Sequence, residues 1–154
     1  MVNFQRKGAA SNTQVGREFE CRARQILEQK GLKLGANFKV PCGLGNKKKD
    51  HNFDLGSNQP SIIVECKSQT WTETGNIPSA KMKNWAEAMF YFHMAPKEYR
   101  KIFFVEKSVR PTNGETLLDY FKRTQAHMIP DDVELWELDS ETDNLQISPT
   151  RPTN

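Results

Sequence analysis

Asp54 is followed, after ten residues, by the triplet Glu65–Cys66–Lys67. Ile62, Ile63 and Val64 lead into that triplet, a composition that predicts a strand covered on both faces. Glu65 and Lys67, two apart on the strand, share one face at a separation of about 6.6 Å. Asp54 falls on the preceding strand of a hairpin, and neighbouring strands lie about 4.8 Å apart. Two carboxylates thus converge with an ammonium beside them. Hard oxygen ligands with room for water suit Mg²⁺. Such an ion lowers the pKa of a bound water and neutralises charge on a phosphate during transfer. An adjacent lysine orients the attacking water, or deprotonates it when its own pKa is depressed. The competing reading is a buried structural ion pair, since an unpaired charge at an interior strand is expensive. A second Glu-x-Lys, Glu28–Gln29–Lys30, lies near a helix end and lacks this context.

The elements that must position these groups are legible in outline. Residues 1–11 have no apolar periodicity and read as a flexible N-terminal arm. Asn12 or Thr13 can cap a helix to about Lys30, with Val15, Phe19, Ala23, Ile26 and Leu27 as its apolar stripe and Gly31 as its stop. Strands are expected over 32–42, 52–56 and 61–67, the last two joined by Ser57–Asn58–Gln59–Pro60. Residues 68–78 form a polar loop. A helix follows from Ser79 to about Met94, with Met82, Trp85, Met89 and Phe92 inward. Lys101–Glu106 reads as a buried strand, 113–124 as a helix and 133–138 as a last strand, with a flexible tail over 141–154. The order α-β-β-β-α-β-α-β predicts one α/β domain over 12–140, a mixed β-sheet flanked by helices.

Composition limits the class. The chain has 154 residues, 36% hydrophobic and 27% charged, with 3 Trp, 3 Tyr and 9 Phe. These values exclude disordered, collagen-like and membrane-spanning chains. The N-terminal residues lack the apolar stretch of a signal peptide, and three cysteines (Cys21, Cys42, Cys66) read as reduced thiols, so a cytoplasmic location is expected. Charge is unevenly spread: residues 1–51 carry +7, 52–110 carry +2 and 111–154 carry −6. A basic N-terminal third suits a polyanionic partner. No close Cys or His pair is present to hold zinc, and Gly43–Leu44–Gly45–Asn46 followed by lysines lacks the spacing of a phosphate-binding loop.

Asp54 and Glu65–Cys66–Lys67 on a hairpin, after a helix and before a helix–strand unit, resemble the PD-(D/E)XK nuclease superfamily. That group includes restriction endonucleases, junction resolvases and repair nucleases. Its αβββαβ core matches residues 13–107 here, although Phe53 stands where the motif's proline is often found. The resemblance implies a restriction-endonuclease-like fold and a Mg²⁺-dependent DNA endonuclease, with Mn²⁺ able to substitute. It implies that Asp54, Glu65 and the Cys66 backbone carbonyl bind the metal, and that Lys67 acts on the water. It also implies a glutamate on the first helix, in the context Gly16–Arg17–Glu18–Phe19–Glu20. Glu18 has Arg22 four residues on as an exposed partner, so Glu20, bordering the buried stripe, is the expected residue. Gln69 occupies the position of a glutamine found near the scissile phosphate in some members.

DNA contacts are expected from Lys47, Lys48 and Lys49 with His51, from Trp71, Thr72 and Asn76 in the polar loop, and from Lys81 and Lys83. The bland alternatives are solvated loops and, for Trp71, a buried loop anchor. Cutting both strands needs two sites, so a homodimer is expected for a restriction-type enzyme. Two other functions fit the sequence: a non-catalytic nucleic-acid-binding subunit, and a structure-specific junction or repair nuclease.

Overall fold

The computed structural model describes residues 4–148, with side chains described from residue 13 onward. Three helices and six strands are formed in the order α1 (Phe4–Gln29), β1 (Gly35–Cys42), β2 (Lys49–Asn58), β3 (Ser61–Lys67), α2 (Ser79–Met94), β4 (Arg100–Glu106), α3 (Leu117–Thr124), β5 (Val133–Asp139) and β6 (Asn144–Ser148). A short 3₁₀ turn, Ala126–Met128, lies between α3 and β5. The strands make one open mixed sheet in sequence order. β1–β2, β2–β3 and β5–β6 are antiparallel; β3–β4 and β4–β5 are parallel, each joined through a helix. The expected α/β class with a mixed sheet between helices is what the chain adopts.

The sheet is covered on both faces, as the apolar run before Glu65 requires. Ile63, Phe103, Val105 and Leu135 pack under α2 and α3 with Trp85, Met89, Phe92 and Phe121. On the opposite face Ile62, Val64, Ile102, Phe104 and Trp136 pack under α1 through Phe19, Ala23 and Leu27. Each fully buried side chain of this size contributes about 1.5–3 kcal/mol. The parallel strands β3 and β4 end near Lys67 and Glu106, and in open α/β sheets the carboxyl ends of the strands are where ligands bind.

Several expected boundaries move. Helix α1 begins at Phe4 and not at a cap on Asn12 or Thr13, so residues 4–11 are helical and only 1–3 of the expected arm fall outside the described residues. The segment has no proline, and Ala9 and Ala10 are strong helix formers. Val15, expected in the apolar stripe, is exposed. Gly31 does end the helix, at φ 89°, with the Leu32 N–H donating to the Leu27 carbonyl. β2 is longer than expected and takes in Lys49, which pairs with Cys42. Pro78 and not Ser79 precedes the first turn of α2. α3 starts only at Leu117, capped by the Thr116 hydroxyl, which accepts the Asp119 N–H at 3.1 Å.

The expected flexible tail is in part a strand. β6 pairs with β5 over Asn144–Ser148, after a turn closed by the Asp143 N–H donating to the Asp139 carbonyl. Leu145 and Ile147 alternate with polar residues, a period-two pattern that a sheet edge accepts. Residues 149–154 of the tail lie outside the described residues. All three cysteines are free thiols, Cys42 and Cys66 buried and Cys21 exposed. No helix of the described residues is long and apolar enough to cross a membrane.

Candidate active site

The β2–β3 hairpin positions the site by losing regularity at one residue. Its ladder runs from Asn58↔Ser61 to Leu55↔Val64 and stops there. At the next position the Asp54 carboxylate, through Oδ2, accepts the Cys66 N–H at 2.8 Å. Phe53 packs on the α2 face of the sheet while Leu55 packs on the α1 face, so the alternation of side chains breaks at Asp54. On the other side of β2 the ladder with β1 pairs Ala36 with Leu55 and Phe38 with Phe53 but skips Asn37, which adopts φ 55°. Asparagine tolerates this left-handed conformation better than most residues. The distortion directs an acidic side chain into the gap between two strands.

Two further carboxyl groups, Glu20 and Glu65, are coupled electrostatically to Asp54 at this gap. Glu20, on the half-buried flank of α1, acts electrostatically on Asp54, and Asp54 acts on Glu65 of β3. Burial, then the Asp54 charge, raises the Glu20 carboxyl from 4.5 to about 7. Burial likewise raises Glu65 to about 7; His51 opposes the rise, and Asp54 adds to it. Asp54 lies close enough to hydrogen-bond with either neighbour when that neighbour is protonated. Lys67 draws both glutamates back toward the charged form, which places its ammonium within electrostatic range of each. The cluster is therefore a hub aspartate, two glutamates that hold protons near neutrality, and one lysine.

Glu65 carries the strongest local signal. It is 8% exposed, and its Oε2 has no hydrogen-bond partner. A buried carboxylate oxygen without a donor costs about 1–3 kcal/mol or more. The nearest cation-capable group is His51, with Nε2 3.6 Å from that oxygen, beyond hydrogen-bonding distance. His51 stacks on Tyr91 at 3.7 Å and meets the edge of Phe53 at 4.6 Å. The sequence assigned His51 to the basic run; its place beside Glu65 depends on the break in β2.

The donor set fits a hard divalent cation. It offers carboxylate oxygens only, one of them orphaned. Among the described residues no group of three or more His, Cys, Asp or Glu side chains is placed to hold a metal ion by itself. Mg²⁺ does not require three protein ligands, because it keeps several waters and is commonly held by one or two carboxylates and substrate phosphate. Cys66 pairs with Phe104 in the parallel ladder, its N–H taken by Asp54 and its thiol buried on the α1 face, where burial raises its pKa.

The remaining residues divide between those near the site and those engaged elsewhere. Glu18 is exposed, accepts from Gln14 and leaves Arg22 to pair with Asp143. Gln69 lies beyond the end of β3 and does not extend its face; its Oε1 accepts the Trp85 indole N–H at 2.8 Å. Trp71 is 6% exposed and takes the loop-anchor alternative. Its indole N–H donates to the Glu115 carbonyl at 3.0 Å, and the Arg110 guanidinium lies 4.3 Å over its ring. The Thr72 hydroxyl accepts the Asn76 N–H at 2.8 Å, so both residues hold the loop's own turn. Lys47, Lys49, Lys81 and Lys83 are exposed, whereas Lys48 Nζ donates to the Gly43 carbonyl at 3.0 Å. A cleft of about 300 Å³ opens directly beyond Lys67, between Val15 of α1, residues 68–72 and Lys81. The chain matches no protein-family model, no curated protein and no solved structure.

Proposed function

We propose that this chain is a Mg²⁺-dependent endonuclease of the restriction-endonuclease-like PD-(D/E)XK type, hydrolysing DNA phosphodiester bonds. The observation that carries the reading is the coupling of Glu20 and of Glu65 to Asp54 and Lys67 at the carboxyl end of β3. An acidic cluster centred on Asp54 would oppose phosphate binding on a surface meant only to hold nucleic acid. It makes sense where a cation joins protein to phosphate.

Asp54 and Glu65 would hold the ion, with Glu20 completing the acidic set and the Cys66 carbonyl at its edge. When bound, the ion supplies Lewis-acid neutralisation of phosphoryl charge and a more acidic water. Asp54 is held in place by the Cys66 N–H. Lys67 orients the attacking water and takes up charge on the phosphoryl oxygen. Glu20, coupled to Asp54 and Lys67, would be the carboxylate that accepts the water's proton. The new bond forms between water oxygen and phosphorus in line with the bond that breaks to the leaving sugar oxygen, which then takes a proton from solvent. Lys81 lines the cleft beyond Lys67 and Lys83 is exposed on the same helix, while Lys47 lies on the loop before β2 and Lys49 at its first residue; these lysines would contact DNA phosphates. Cutting of both strands would bring two copies together as a homodimer.

Supercoiled plasmid incubated with the protein in Mg²⁺, Mn²⁺ or EDTA tests this function. Nicked or linear DNA formed with either ion and not in EDTA supports it. Equal cutting in EDTA contradicts it.

A further inference from the structure

A second groove lies on the other side of His51 from the carboxylates. It has a volume of about 770 Å³ and runs between the loop Gly43–Lys48 with the start of β2 and the outer face of α2. Its floor is apolar: Cys42, Leu44, Phe90, Tyr91 and Met94. Two of these are unusually open for their type, Leu44 at 71% and Phe90 at 48% exposure. One wall is basic, with Lys47, Lys48 and Lys49 against the single acid Asp50. The walls are joined at the base, because the Gly43 N–H donates to the Met94 carbonyl at 3.2 Å. A Cβ on Gly43 would lie 2.2 Å from the Lys47 carbonyl oxygen, so the loop folds tightly on itself.

We infer that this groove binds an unpaired DNA strand leading away from the site, so that the substrate is DNA with a single-stranded segment beside the scissile phosphate. The inference rests on the proposed nuclease reading and sharpens its substrate. Aromatic and apolar floor with cations along one wall is the chemistry that single strands use: bases stack while phosphates meet lysines. An intact duplex turns its phosphates outward and seals its base faces, so it would leave Phe90 and Leu44 in water. Continuity with the site is direct: Tyr91 in the groove stacks on His51 at 3.7 Å, and His51 stands 3.6 Å from the Glu65 carboxylate.

Fluorescence anisotropy in EDTA tests the groove apart from catalysis, using the full chain and three labelled DNAs: a single strand, a blunt duplex, and a duplex with a single-stranded overhang. The expected result is about tenfold tighter binding of the single strand and overhang than of the blunt duplex. Phe90→Ala, at an exposed position, then removes about tenfold of that affinity and leaves the blunt duplex unchanged. Phe90→Trp keeps the preference, and the new indole is quenched by the single strand. Equal binding of blunt and overhang DNA overturns the inference, as does wild-type affinity in Phe90→Ala. A dimer that Phe90→Ala dissociates, with no strand preference, also overturns it and assigns the face to a second copy. Strand preference without Mg²⁺-dependent cleavage supports the groove and defeats the nuclease reading; cleavage without strand preference does the reverse.

Discussion

The Asp54 carboxylate accepts the Cys66 backbone N–H at 2.8 Å, where a regular hairpin would continue its backbone ladder. That one bond ends the β2–β3 pairing, fixes the hub of the acidic cluster and brings Asp54 to Glu65. It also accounts for the change of face between Phe53 and Leu55. Asp54→Asn would preserve the acceptor through its amide oxygen and remove the charge. The variant is expected to fold and to lose cleavage by at least about a hundredfold, the scale of losing a group that stabilises transition-state charge. Circular dichroism and plasmid nicking check the two halves.

Glu65 is held near pKa 7 against an ordinary 4.5, so the folded chain retains a proton that the unfolded chain has released. The sign follows: without metal, this group's contribution to stability is greatest below about 4.5 and declines as pH rises through 7. Glu65→Gln removes that decline. In EDTA at pH 8 it is expected to be more stable than wild type by about 1–3 kcal/mol, while cleavage is abolished. Melting curves at pH 5 and pH 8 check it; a variant less stable than wild type at pH 8 would be the wrong sign.

Cations and protons compete for the same oxygens. Mg²⁺ is therefore expected to raise the melting temperature more at pH 8 than at pH 6, because Glu20 and Glu65 both titrate near 7. Asp54→Asn should lose most of that increment. Equal stabilisation at both pH values would show the ion bound elsewhere.

Glu137 provides a contrast. Its Oε2 is also buried without a partner, and burial raises its carboxyl, but it lies on β5 among Thr116, Asp119, Lys107 and Lys122, none of which belongs to the cluster. Raised in the fold, it too loses stability as pH climbs above the ordinary carboxylate range. Glu137→Gln is expected to stabilise at neutral pH by about 1 kcal/mol and to leave cleavage at the wild-type rate. Thermal melts beside plasmid nicking separate it from Glu65→Gln.

Trp71 is a fixed part of the fold. Trp71→Phe keeps the ring and loses the hydrogen bond to the Glu115 carbonyl, an expected cost of about 1–2 kcal/mol, with DNA affinity unchanged. Urea unfolding and anisotropy measure these directly. A tenfold loss of DNA affinity at full stability would mean that the ring meets bases.

The shared face of Glu65 and Lys67 and the nearness of Asp54 on the partner strand were legible from period-two geometry and a short turn; the turning of the Asp54 carboxylate onto the Cys66 N–H was not. Glu20 was legible over Glu18 because helical spacing sets it next to the buried Phe19, Ala23 and Leu27. His51 was not, because its approach to Glu65 follows from the broken alternation at Asp54, and no local pattern announces that break. Trp71 looked like a free aromatic in a polar loop, since its partners Arg110, Glu115 and Tyr120 are distant in sequence. β6 carried a readable signal in Leu145 and Ile147, hidden by the acidic turn before it. Gln69 was placed correctly in sequence order but not in geometry, because β3 ends at Lys67 and the Trp85 indole claims its amide oxygen.

The most direct measurement is single-turnover cleavage of supercoiled plasmid in saturating Mg²⁺ by wild type and by Lys67→Ala. Wild type is expected to cut and the variant to lose about a hundredfold or more, with DNA binding and melting temperature near wild type. Cleavage by Lys67→Ala within twofold of wild type would contradict this expectation.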